Sequence, residues 1–202
     1  MVEFLTIASL HLFAVASPGP DFILVVRQCF RYGKRGAIWT SLGISIGILV
    51  HVCISLIGIG LILSLKPEIL SWLKILASIY ISYLGLNSII NASFLNLEKN
   101  VSSSPIVNLK SFTVGIITNI LNPKAFVFFI TVFTLVINPS TSKPLQLFYG
   151  LYMSIATFLW FSFISFIFTN QVLILKYVNY LPWLERLMGS LLVIIAIHIL
   201  FF

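Results

Sequence analysis

The sequence predicts an all-α polytopic membrane protein: about six transmembrane helices forming two inverted-topology three-helix repeats, with the first helix of each half broken. Three observations predict it. Hydrophobic residues make up 59% and charged residues 8% of the 202 positions, with a mean hydropathy of +1.10, against about 45–50% and about 25% in soluble domains. Long apolar runs recur along the chain, each near the roughly 20 helical residues that cross a hydrocarbon core about 30 Å thick. Two of these runs, the first and the fourth, are interrupted by proline motifs. A chain of this length with six crossings has no room for a soluble catalytic domain.

The runs lie at approximately 4–26, 37–64, 69–91, 111–137, 145–170 and 184–202. The first is interrupted by ASPGPDF at 16–22. Ala14-Val15-Ala16 has the look of a cleavage site, but Glu3 and the lack of any Lys or Arg before Arg27 give the wrong flank for a signal peptide. Residues 1–26 are therefore expected to form the first helix of the mature protein. The second run follows RQCFRYGKRG and carries Gly43 and Gly47, with Gly36 ahead of them, as a small face for close helix approach. The third follows LKPE. The fourth, from about Phe112 to Ile137, contains NILNPKAF at 119–126, and the fifth and sixth follow NPSTSKP and KYVNYLPWLER. The polar stretch NLEKNVSSSPIVN is the longest connection and divides the chain into a first half at 1–91, a linker at 92–110 and a second half at 111–202. Trp39, Trp72 and Trp183 stand near span starts, as interfacial anchors do; Trp160 stands mid-span.

Charge orients the spans. Arg27, Arg31, Lys34, Arg35, Lys99, Lys110, Lys176 and Arg186 fall in the odd connections, and Lys66, Lys74 and Lys143 in the even ones. The positive-inside rule then puts the odd connections in the cytoplasm and both termini outside. Each half has an odd number of crossings, so the two halves enter the membrane in opposite senses. The formal charge of +7 is scattered through short loops with no basic arm, which excludes a nucleic-acid partner. Cys29 and Cys53 form no C-x-x-C or metal-ligand pattern and read as small buried hydrophobes.

The two breaks carry the chemistry. An interior proline costs about 3 kcal/mol or more, and irregular backbone at membrane depth persists only where protein buries it or a watered cavity meets it. Ser17 or Gly19 ahead of Pro20, and Asn122 ahead of Pro123, each resemble an N-cap followed by proline at the first helical position. Each break thus starts a new helix inside the membrane, with free N–H groups and a partial positive charge. Corresponding breaks in two inverted halves point to the binding site of a secondary transporter. Lys124 sits near mid-span, where a charge costs about 2.5–3.5 kcal/mol, and Asp21 sits beside the first break. The bland alternatives are a packing kink at each break and, for Asp21, a first-turn acid on the helix dipole. His51 suits a proton relay or, equally, a neutral histidine bonded to a backbone carbonyl. His11 and His198 carry no pattern.

SPGPDFILVVRQCFRYGKRGAIWTSLGISIGILVH and FTVGIITNILNPKAFVFFI resemble the two signature regions of the LysE/RhtB family of bacterial amino-acid exporters, and the likeness in length and span order extends over essentially the whole chain. The resemblance implies a small multi-pass carrier of the bacterial inner membrane. It would expel amino acids or their derivatives using an ion gradient, with no cofactor and no ATP. It carries the family's motif onto Pro18, Gly19, Pro20 and Asp21 in the first helix and onto Asn119, Asn122, Pro123 and Lys124 in the fourth. The expected partners are an amino-acid substrate, the lipid bilayer and, as an open question, further copies of the chain. The alternative is a cation or metal exporter of related architecture, against which the spans hold no clustered His, Cys or carboxylates. An intramembrane enzyme would need a nucleophile and base or a metal motif, and neither H-E-x-x-H nor G-x-S-x-G occurs.

Overall fold

The computed structural model describes residues 2–17, 19–62, 67–90, 108–170 and 180–201, and among them regular structure is entirely helical. The elements are α1 Val2–Ala16, α2 Pro20–Ile62, α3 Pro67–Ile90, α4 Asn108–Ile120, α5 Pro123–Thr131 continued by a π-helical turn Val132–Val136, α6 Lys143–Thr169 and α7 Leu181–Phe201. α3, α6 and α7 follow the third, fifth and sixth apolar runs to within a few residues, whereas α2 runs through the connection between the first and second. The longest connection lies outside the described residues apart from its last residue, Asn108, where α4 begins. The stretch 20–58 of α2 and the whole of α6 are long and apolar enough to cross a membrane. The α4–α5 pair, bent by 58°, forms a third such span when taken together.

The connection RQCFRYGKRG departs from expectation. Instead of an open loop, its residues are helical on both sides of Gly33, which alone leaves helical geometry at φ 67° and ψ −172°. Arg, Gln and Lys are good helix formers, so charge there marks a membrane boundary without ending the helix. Only glycine takes that backbone conformation without strain. Both arms of α2 then pack on α6, in a core of Phe22, Val25, Val26, Cys29, Ala37, Ile44, Phe161, Ile164 and Phe168. Trp160 packs against the same core, which accounts for its mid-span position. Cys29 is buried as expected, whereas Cys53 is exposed.

Lipid tails are as apolar as leucine, so packing and interhelical hydrogen bonds hold these helices together. The second arm of α2 crosses α4 at backbone distance. A Cβ on Gly43 would strike the Phe112 carbonyl oxygen and one on Gly115 the Thr40 carbonyl oxygen. Thr40 Oγ1 donates to Ser111 O at 3.3 Å across that crossing, and Ser154 Oγ donates to Ser45 O at 2.7 Å between α6 and α2. α3 pairs with α7, where Gly85 faces the Gly189 carbonyl. At one end of the molecule the Glu3 carboxylate accepts from Asn138 N–H at 2.7 Å, Thr141 Oγ1 at 3.0 Å and Tyr149 OH at 2.9 Å. At the other, Lys34 Nζ lies 3.4 Å from the centre of the Phe166 ring. α1 ends at Ala16 and α4 at Ile120, each just ahead of a proline that starts the next helix.

Candidate functional site

The two interruptions meet. α2 restarts at Pro20, with Ile23 N–H donating to Gly19 O at 2.9 Å. α5 restarts at Pro123 behind an extended Asn122, whose Oδ1 accepts from Lys124 N–H at 3.0 Å. The cap-then-proline arrangement is complete at Asn122–Pro123, whereas at Pro20 Gly19 takes the cap position without a side chain and the Ser17 hydroxyl caps nothing among the described residues. The Asn122 amide also faces the other break: Nδ2 donates to Asp21 Oδ2 at 3.0 Å, and Asn119 Nδ2 donates to the same oxygen at 2.9 Å. In return Lys124 Nζ donates to Ser17 O at 2.9 Å. Lys124 of the second half thus occupies a backbone carbonyl of the first break, while the Asn119 and Asn122 amides hold the Asp21 carboxylate beside it.

Asp21 Oδ1 and the Ser17 hydroxyl are buried and have no hydrogen-bond partner among the described residues. A carboxylate oxygen left this way inside a protein is costly, about 1–3 kcal/mol or more for a charged group. Lys124 stands opposite: its Nζ lies 3.5 Å from where a Cβ on Gly19 would be. Glycine at that position keeps the ammonium accessible from the break.

Ser17, Gly19, Asp21, Asn119, Asn122 and Lys124 all line one cavity. Pro20 and Pro123 do not; each is exposed and shapes the break from behind. Pro18 lies outside the described residues. His51 is buried but does not line the cavity. Its Nε2 lies 2.9 Å from Asn119 O, so that nitrogen carries the proton, and its ring stacks on Phe129 with planes 4° apart. It acts on the site by tethering the carbonyl at the end of α4. Gly47 acts likewise, since a Cβ there would lie 2.7 Å from Asn119 Oδ1.

The cavity has a second end that sequence reasoning missed. His11 and Thr157 line it, together with Phe128, Phe129, Phe161 and Ile48. One signal was available for His11, because an ionisable residue inside a membrane helix is a functional candidate by default. No signal was available for Thr157, which reaches the site only through the packing of α6.

The chain is similar to known proteins over nearly its whole length. A family model described as LysE type translocator matches residues 12–201. The threonine efflux protein of Escherichia coli (strain K12) is 29% identical over 210 residues, covering 99% of this chain and 98% of that protein. The threonine efflux protein of Salmonella typhimurium is 27% identical over 206 residues with the same coverage. An uncharacterized membrane protein of Bacillus subtilis (strain 168) is 28% identical over 187 residues, 89% of each chain. No solved structure matches.

Proposed function

Because this chain belongs to the LysE type translocator family, a family of membrane transporters and not of enzymes, we propose that it exports a small amino acid from the bacterial cytoplasm. The observation that carries the reading is the meeting of two broken helices with one carboxylate and one ammonium on the same cavity wall. An amino acid is a zwitterion, and the two charges supply its complements. The substrate ammonium donates to Asp21 Oδ1, the oxygen that Asn119 and Asn122 leave unused. The substrate carboxylate lies against the Lys124 ammonium and the first-turn N–H groups of α2, which lack intrahelical acceptors. Charge-assisted bonds of this kind are roughly twice as strong as neutral ones, and together they offset the loss of the substrate's hydration. Threonine is the first candidate, since curated relatives bear its name; no observation favours the metal-exporter alternative.

The halves 1–91 and 111–202, joined by the linker 92–110, act as inverted repeats that rock about this mid-depth site, and export draws on the proton gradient. Asp21 is the group placed to exchange a proton with the cavity, while His51 holds Asn119 in place and is the secondary relay position. Both termini face outward. Cysteines introduced in NLEKNVSSSPIVN should then resist a membrane-impermeant thiol reagent applied outside, and Ser142→Cys should react; the reverse pattern would refute the orientation. The transport reading is tested by efflux from cells loaded with a panel of labelled amino acids, with and without an uncoupler. Lys124→Met should insert normally, because a charge leaves the bilayer interior, and should abolish efflux. Normal export by Lys124→Met would show that the site is misplaced.

A further inference from the structure

The charged end of the cavity accounts for the zwitterion and leaves the His11–Thr157 end without a role. His11 Nε2 and Thr157 Oγ1 share a hydrogen bond of 3.0 Å between residues 146 positions apart, and the two side chains are 3% and 1% exposed. Both line the cavity. A hydroxyl offers one donor and two acceptor sites, so pairing with His11 leaves Thr157 with capacity for another partner. Since the imidazole can be donor or acceptor according to its tautomer, the pair can present Thr157 in either sense.

The surroundings suit a short side chain. The Phe128 and Phe129 rings lie 6.0 and 6.5 Å from the imidazole, centre to centre. Phe161, one turn beyond Thr157, closes the same end. A long or charged side chain would have to displace these rings.

We propose that the His11–Thr157 pair reads the substrate's side chain and selects a short, hydroxyl-bearing amino acid, whose hydroxyl bonds to Thr157 Oγ1 while its backbone groups occupy the Asp21–Lys124 end. This rests on the zwitterion reading above. An apolar pocket rejects an isostere weakly, but one built to bond a hydroxyl rejects the analogue lacking it much more strongly, because its own polar groups are left unpaired.

The test is initial-rate counterflow by the purified full chain in proteoliposomes, comparing threonine with its isostere valine. Wild type should favour threonine by about tenfold or more. Thr157→Val should lower the threonine-to-valine ratio by about tenfold, the scale of one buried hydrogen bond. Thr157→Ser, which keeps the hydroxyl, should hold the ratio within about threefold of wild type. Equal rates for the two amino acids in wild type, or an unchanged ratio in Thr157→Val, overturns the proposal while leaving amino-acid export standing. If Thr157→Val does not reconstitute, the wild-type and Thr157→Ser ratios decide. Wild type that moves no amino acid of a wide panel instead removes the zwitterion reading itself.

Discussion

Gly47→Ala tests how tightly the site is built, because one added methyl lands on the residue that holds Asp21. The new Cβ would lie 2.7 Å from Asn119 Oδ1, 2.9 Å from its Cβ and 3.1 Å from its Cγ. Carbon contacts want about 3.5–4.0 Å, so the shortfall at the Cβ is roughly 0.6 Å. Rotating the asparagine side chain does not move its Cβ, and the α2–α4 crossing has to open instead. Opening by that amount stretches the 2.9 Å bond from Asn119 Nδ2 to Asp21 toward 3.5 Å, the limit of a useful hydrogen bond. Overpacking of this kind costs about 1–3 kcal/mol, and losing a hydrogen bond to a charged group about 1.5–3 kcal/mol. The variant should melt lower in detergent and show a KM for the transported amino acid raised by about tenfold. Gly58→Ala is the matched control, since a Cβ there meets nothing within 4 Å. Alanine's helix preference, about 1 kcal/mol over glycine, should hold or raise its stability without touching transport. Wild-type KM in a well-folded Gly47→Ala, at equal protein density, would refute the view that Asn119 sets the geometry of Asp21.

The remaining predictions concern backbone and surface. Replacing Pro18, Gly19 and Pro20 together by alanine should let the first helix close, because alanine is favoured over glycine by about 1 and over proline by about 3 kcal/mol; thermal stability should hold or rise while counterflow falls, and full counterflow would mean that the break is a packing kink. Gly33→Ala should destabilise by about 1–3 kcal/mol through backbone strain alone, since its Cβ meets nothing, and should leave substrate affinity unchanged in a binding measurement. For Glu3, ahead of the first apolar run, burial pushes the carboxyl up, but hydrogen bonds from Asn138 N–H, Tyr149 and Thr141 outweigh it and hold the pKa below the ordinary 4.5. A depressed folded value stabilises above the unfolded pKa and ceases to do so as pH falls through the folded one. Thermal midpoints of wild type should therefore drop below about pH 4.5, and Glu3→Gln should be less stable near pH 7 and flatter with pH.

What the sequence disclosed and what it hid divide by range. The breaks were legible because their causes are local: proline without an N–H, a capping asparagine directly ahead, a lysine where lipid should be. The close faces at Gly43 and Gly47 were legible from spacing alone. The connection at 27–36 was misjudged, since clustered charge marks where a helix meets water and says nothing of where it stops. Gly33, whose side chain would have had open space, supplies the one turn there. For His51 the sequence left both readings open, because the Asn119 carbonyl it contacts lies 68 positions away. At the His11–Thr157 end only the ionisable His11 carried a signal; its pairing with Thr157 was illegible, because the two lie 146 positions apart and only the fold brings α1 and α6 together.

The opposed charges of Asp21 and Lys124 also bear on membrane voltage. Among the residues lining the cavity they are the carboxylate and the ammonium, so the site's formal charge is zero, and a zwitterion entering it adds none. A potential acts only on net charge displaced, at about 2.3 kcal/mol per charge per 100 mV. On the proposed zwitterion reading, and with both groups ionised, the loading and reorientation of such a site are electrically silent, and voltage gains a grip only through whatever ion travels with or against the substrate. An imposed potential that shifts the distribution of amino acid in proteoliposomes therefore counts the charge of that ion directly.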